Sequence, residues 1–258
     1  MNLLLRTFGG VIILFIMLII TFFGHNTLSL GVAIFSLIAI KEMANAFNKK
    51  GIFPPWGLLM VCDLLIISGA YLLSTEIYTL AIIFSIFLVL VYMIFNTKNT
   101  IEDVFTSLFI LMYVPVLMGN IIRIVDDRYV WLLYLTSWGS DTFAYLVGST
   151  IGKHKVKSIA HISPNKTIEG AVGGILGAVI LNCIYVKYSS LNIELIYVIV
   201  FSIVGSFLSE IGDLIASFIK RQTGIKDFGD LIPGHGGIMD RFDSMIFIAP
   251  LLYLFSII

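Results

Sequence analysis

Charge is the first thing this chain is short of. Only 12% of its 258 residues are Asp, Glu, Lys or Arg, against about 25% in a soluble domain. Hydrophobic residues make up 59%. That balance excludes an ordinary soluble fold and points to one embedded in lipid. Sixteen cations cancel sixteen anions, so no global charge attracts nucleic acid, and no nucleic-acid partner is expected. Cysteine is nearly missing. Cys62 and Cys183 lie apart in apolar segments, which predicts two buried small residues and neither a disulfide nor a metal site. No small-residue cleavage site follows the first apolar run, GGVIILFIMLIITFFG. That run is therefore read as a retained transmembrane helix and not as a signal peptide. No polar stretch is long enough for a separate soluble domain. Low-complexity segments and internal repeats are also absent, which counts against a transporter built from inverted repeats.

What is present is a succession of apolar runs. About nine reach the length needed to cross a bilayer. They lie near 9–23, 27–47, 57–74, 77–95, 104–124, 129–149, 168–187, 192–219 and 238–257. Backbone groups in lipid must be satisfied internally, so the runs are predicted to be helices. The expected fold class is all-α, a polytopic membrane protein with about nine transmembrane helices. Residues 1–258 are read as one transmembrane domain. Helices within 1–128 would form a scaffold and a candidate dimer surface, and 129–258 would carry the site. The loops after the first, third, fifth and seventh runs hold only Arg123, Arg128 and Lys187. Those after the second, fourth, sixth and eighth hold Lys49, Lys50, Lys98, Lys153, Lys155, Lys157, Lys166, Lys220, Arg221 and Lys226. The positive-inside rule puts the second set in the cytoplasm, with the N-terminus cytoplasmic and the C-terminus outside. The two longest polar loops, 150–167 and 220–237, then share the cytoplasmic side.

The scarce charges concentrate beside the last two runs. Glu210, Asp213, Ser217 and Lys220 are spaced three, four and three apart, so they share one helical face. Charge at membrane depth is costly, and such a stripe should face the bundle interior or water. The bland alternative is a salt-bridged packing stripe. Then comes KDFGDLIPGHGGIMDRFDS, 226–244, whose Pro233, Gly234, Gly236 and Gly237 predict a tight loop. The ninth helix is expected to start near Gly237 or Ile238, with Asp240, Asp243 and Ser244 on one face. A single Asp there would be a cap. Asp240 and Asp243 facing Asp213 would repel unless a cation sits among them, and hard oxygen ligands suit magnesium shared with substrate phosphates. No Cys or His cluster competes for zinc or iron. His235 fits an acid–base group, a phosphate donor or a structural loop histidine equally. Lys220, Arg221, Lys226 and Arg241 would attract a polyanion, or merely mark the cytoplasmic interface.

A second polar segment covers 140–170. Asp141, bracketed by Trp138, Phe143 and Tyr145, is expected to be buried. Thr167 or Asn165 can cap the next helix, with Glu169 in its first turn. Lys166 offers a phosphate contact. Gly170, Gly173, Gly174 and Gly177 follow at spacings of three and four, which suits close helix packing more than ligand binding.

Taken together, SFIKRQTGIKDFGDLIPGHGGIMDRFDS, 217–244, resembles the signature of the phosphatidate cytidylyltransferases, or CDP-diacylglycerol synthases. That pattern is Ser, two residues, Lys-Arg, four residues, Lys-Asp, then Pro-Gly-His-Gly-Gly and Asp-Arg-x-Asp, and every position is filled. DTFAYLVG, 141–148, and SPNKTIEG, 163–170, are also similar to segments of that family. The likeness is sharpest over about 140–245. The resemblance implies that CTP and phosphatidate give CDP-diacylglycerol and pyrophosphate, with Mg2+ required and a monovalent cation such as K+ allowed nearby. It implies Asp213 and Asp240 as metal ligands and Ser217 and Lys220 near the phosphates. Arg241, Asp243 and His235 join them as candidate catalytic residues, and Lys226, Asp227, Lys166, Arg221 and Asp141 as candidate substrate contacts. It implies a homodimer in the cell membrane, its site facing the cytoplasm. Two rivals use similar groups: a membrane kinase that passes phosphate from CTP to a lipid alcohol, and a transporter of a phosphorylated solute. The Asp-Gly…Ala-Arg…Gly…Asp…Asp pattern of the CDP-alcohol transferases is absent. A purely structural membrane protein leaves the polar groups unexplained.

Overall fold

Several helix starts in this chain are capped by small hydroxyl residues. The Ser74 side chain accepts from the Ile77 N–H at 3.2 Å, and Thr100 and Asp103 form a reciprocal capping box. Thr167 accepts from the Gly170 N–H at 3.1 Å, so of the two expected caps it is Thr167 that acts. A computed structural model describes residues 13, 15–96, 98–231 and 236–257. After helical residues at 15–22, the helices are α1 (His25–Asn48), α2 (Trp56–Tyr71), α3 (Thr75–Phe95), α4 (Ile101–Ile122), α5 (Val130–Ile151), α6 (Ile168–Tyr188), α7 (Leu195–Gln222), α8 (Met239–Phe242) and α9 (Met245–Ile257). A π-helical turn at Met112–Val116, holding Pro115, interrupts α4. No β-strand occurs among the described residues. The fold is all-α.

Five of these helices, α1, α3, α4, α6 and α7, are long and apolar enough to cross a membrane. Helices α2 and α9 are apolar but shorter. On α3, Leu80 and Phe87 are 64% and 58% exposed. An apolar face so open is at home in lipid. Each apolar run of the sequence falls on a helix, although the first lies partly outside the described residues. The ninth run needs a correction. A turn at Asp243 and Ser244 separates α8 from α9, so Asp240, Asp243 and Ser244 do not share one continuous helix face. The cause is local: Asp243 Oδ1 accepts from the Ser244 N–H at 2.9 Å. An Asp side chain that captures a neighbouring amide competes with the helix ladder.

The chain divides into two compact units. One comprises the described residues up to Val125 together with Gln222–Phe242. Its helices meet closely: a Cβ on Gly69 of α2 would stand 3.2 Å from the Tyr78 backbone of α3. The Tyr78 hydroxyl donates to the Val116 carbonyl at 2.7 Å, tying α3 to the end of the π turn. The Arg123 guanidinium lies 4.7 Å from the Tyr78 ring centroid.

The other unit comprises Asp126–Arg221 and the described residues from Asp243 onward. Its tightest contact is between α5 and α6, where the glycine stripe does what its spacing predicts. A Cβ at Gly174 would stand 2.8 Å from the Ser140 carbonyl oxygen, and one at Gly173 would strike Val147. Small residues at these positions let two backbones touch. Asn182 of α6 donates to Thr136 of α5 at 2.7 Å and to Ser202 of α7 at 2.9 Å. Ser140 and Ser206 bond at 2.7 Å.

Candidate active site

In the second unit, α7 carries Glu210, Asp213, Ser217 and Lys220 along its length, as the spacing requires. The Lys166 ammonium pairs with Asp213 Oδ2 at 2.7 Å and reaches the Glu210 carbonyl at 3.4 Å. A short hairpin positions that lysine. The Val156 N–H donates to the Lys166 carbonyl at 3.2 Å, and the Ile168 N–H to that of His154 at 2.9 Å. The His154 ring nitrogen bonds Glu169 at 2.5 Å. Glu169, expected only as a first-turn acid, thus ties the loop back onto α6. The ammonium of Lys220 stands 3.9 Å from Asp243 Oδ2. That distance makes an ion pair but not a hydrogen bond. Gly212 lets this happen, because the backbone of Asp243 and Ser244 lies directly against its Cα.

The first unit holds the loop that follows α7. Asp240 Oδ2 accepts from the Phe228 N–H at 2.7 Å and from the Gly237 N–H at 3.0 Å. Gly236 sits at φ +83°, where a side chain is strained, and a Cβ there would stand 2.7 Å from Asp240 Oδ2. Lys226, Asp227 and Arg221 are exposed, and Arg241 is half-buried on α8. His235, with Pro233 and Gly234, lies outside the described residues. Ser217 is half-buried. Asp213 and Asp240 belong to different units.

Two residues differ from the sequence reading. Asp141 is exposed, not buried. Trp138 and Tyr145 share its helix face, but Tyr145 is itself 74% exposed and Asp141 remains open, so the flanking aromatics do not cover it. Glu42 was not singled out at all, yet its carboxylate accepts from the Ile238 N–H at 3.0 Å and the Met239 N–H at 2.8 Å. The available signal was an acidic residue inside an apolar helix, which is a functional candidate by default.

The carboxylates suit magnesium in kind. Among the described residues no three His, Cys, Asp or Glu side chains gather as a metal cluster. Magnesium needs only one or two protein carboxylates when substrate phosphates complete its shell. Glu210 Oε1 is buried without a hydrogen-bond partner, three residues from Asp213. An orphaned carboxyl oxygen of that kind is one that a cation can satisfy.

Residues 4–258 match the profile of the cytidylyltransferase family. The chain belongs to that family. Its relatives include proteins named phosphatidate cytidylyltransferase from Staphylococcus haemolyticus, 34% identical over 98% of both chains, and from Staphylococcus epidermidis, 35% identical over 98% of both. The Staphylococcus aureus protein of the same name is 34% identical, again over 98% of each. Nothing in these likenesses supports a transporter or a lipid kinase.

Proposed function

We propose that this chain is a phosphatidate cytidylyltransferase of the cell membrane: it converts CTP and phosphatidate to CDP-diacylglycerol and pyrophosphate. One observation carries the reading. The 217–244 signature is filled at every position in a chain aligned nearly end to end with relatives of that name. A phosphatidate oxygen attacks the α-phosphorus of CTP in line. The new P–O bond forms as the bond to the β-phosphate oxygen breaks, and the electron pair leaves with pyrophosphate. The lipid phosphate is already anionic near neutral pH, so no strong general base is required. Positioning and charge neutralisation then dominate the chemistry.

Lys166, Lys220 and Arg241 supply mobile cationic contacts for the phosphates. Ser217 offers a hydroxyl near them, and Lys226, Asp227, Arg221 and Asp141 are assigned to the substrate path. Asp243 and His235 complete the signature. Asp213 and Asp240 are the proposed carboxylate ligands of Mg2+, with a monovalent cation such as K+ as a second ion. When bound, magnesium supplies positive charge to the triphosphate and the leaving pyrophosphate. The finer topology is nine spans, with the lysine-rich loops and the site facing the cytoplasm. A homodimer through the 1–128 helices completes the proposal.

The test is direct. Purified protein in detergent, given CTP, phosphatidate and Mg2+, should release pyrophosphate and form CDP-diacylglycerol. Formation of CDP and a new phospholipid from diacylglycerol would replace the reading with a lipid kinase. Label from α-labelled CTP that stays on denatured protein would refute direct attack.

A further inference from the structure

Glu42 is a buried acid beside the signature loop, 7% exposed on α1. It bonds residues 196 and 197 positions away. Each of its two carboxylate oxygens takes one of two consecutive backbone N–H groups, Ile238 to Oε1 and Met239 to Oε2. These amides stand at the start of α8, where helix donors have no partners of their own. Room for the carboxylate is made by two glycines from different parts of the loop. A Cβ at Gly229 would stand 2.5 Å from Glu42 Oε1, and one at Gly237 would collide with the carboxyl group itself. The Phe35 ring of α1 lies 5.1 Å from that of Phe242, pinning the far end of α8. Gly237 also donates its N–H to Asp240. The amide of Gly237 that grips Asp240 is therefore continuous with those of Ile238 and Met239 that grip Glu42, so opening the Glu42 bonds loosens one of the two amides that hold Asp240.

We propose that Glu42 is a positioning residue of the transferase: it clamps Ile238 and Met239 at the start of α8 and thereby sets the direction of the Asp240 carboxylate. The proposal rests on the functional reading above. Glutamine at 42 is nearly isosteric but keeps only one acceptor, and its amide nitrogen would face a backbone N–H.

The test uses the full chain in detergent, free of metal and nucleotide, followed by hydrogen exchange. In Glu42→Gln the amides of 236–242 should exchange at least about tenfold faster than in the parent, with those of α6 unchanged; this is the loss expected for a charge-assisted bond. Turnover with CTP, phosphatidate and Mg2+ should fall about 10- to 100-fold in kcat, while KM for CTP moves less than about threefold. Gly229→Ala keeps every clamp residue but pushes the carboxylate aside, and should accelerate the same amides. It decides the matter if Glu42→Gln does not fold. Unchanged exchange at 236–242, or full turnover by the variant, overturns the clamp. Failure of the parent protein to make CDP-diacylglycerol overturns the functional reading alone, because the exchange measurement still judges Glu42.

Discussion

Two regions of this chain gather carboxylates, and they differ in whether lysines reach them. Beside the start of α8, Glu42 and Asp240 accept from four backbone N–H groups. Along α7 and the turn before α9, Asp213 pairs with Lys166, and Asp243 has Lys220 nearby in addition to its bond from the Ser244 N–H. A backbone N–H cannot leave without unfolding its segment. A lysine on a four-carbon stem can swing to a phosphate. The first arrangement therefore fixes a conformation, and the second holds charge in a form that an arriving polyanion can rearrange.

Removing a carboxylate should produce the largest effect. Asp213→Asn and Asp240→Asn are each expected to lower kcat by about a hundredfold or more, the scale seen when a group that stabilises transition-state charge is lost. Turnover measured across a Mg2+ series checks this. Full activity of both variants at low Mg2+ would remove these residues from the metal site and leave only the packing role. The next effect should be smaller and of a different type. Lys166→Met removes the exchangeable partner of Asp213, and KM for CTP should rise about tenfold with kcat nearly kept. The pair is partly exposed, with side chains 24% and 33% accessible, so little stability should be lost. A variant that melts early but binds CTP normally would make Lys166 a packing residue and erase the contrast between the two regions.

Much of this was legible beforehand, for definable reasons. Helices announce themselves by apolar run length, because lipid admits little else. The stripe of Gly170, Gly173, Gly174 and Gly177 was legible because close helix contact has a fixed period. Thr167 was legible as a cap because a hydroxyl next to an unpaired helix start has one obvious use. The break at Asp243 was not, since a side chain that captures its own neighbour's amide leaves the hydropathy pattern intact. Asp141 departs from the expectation because aromatics adjacent in sequence need not cover a residue in space: a helix places only some of them on one face. Glu42 is marked in the sequence only as an acid inside an apolar helix. Its partners lie almost 200 residues away, and pairing of that range is set by tertiary packing, so the sequence does not name them.

Between these effects and the weakest lies the packing that supports both regions. Gly212→Ala should cost about 1–3 kcal/mol, since its Cβ would meet the Asp243 carbonyl and stand 2.9 Å from the Phe247 ring. Gly57→Ala, with nothing within 4 Å of its Cβ, should be neutral or gain up to about 1 kcal/mol of helix propensity. Melting temperatures in one detergent compare the two. Equal shifts would mean that α7 and the 243–244 turn are less tightly joined than the geometry requires.

Asn182 should matter least, although it is fully buried and bonds two helices. Its Oδ1 has no hydrogen-bond partner, so replacement by leucine removes an unsatisfied acceptor along with two donated bonds. Ser202 keeps its bond to the Val198 carbonyl at 2.7 Å, so it is not orphaned by the change. Bonds between membrane helices average about 0.6 kcal/mol, and Asn182→Leu is expected to shift stability by about 1 kcal/mol or less. The contrast with Glu42 is then one of satisfaction and not of burial. Glu42 has both oxygens engaged and leaves two helix-start amides unpaired when it goes, whereas Asn182 takes an unsatisfied acceptor with it and leaves one hydroxyl, that of Thr136, without its bond. A loss of several kcal/mol in Asn182→Leu, read by thermal unfolding, would mean that the α5–α6–α7 contact depends on this amide and that burial alone predicts the cost.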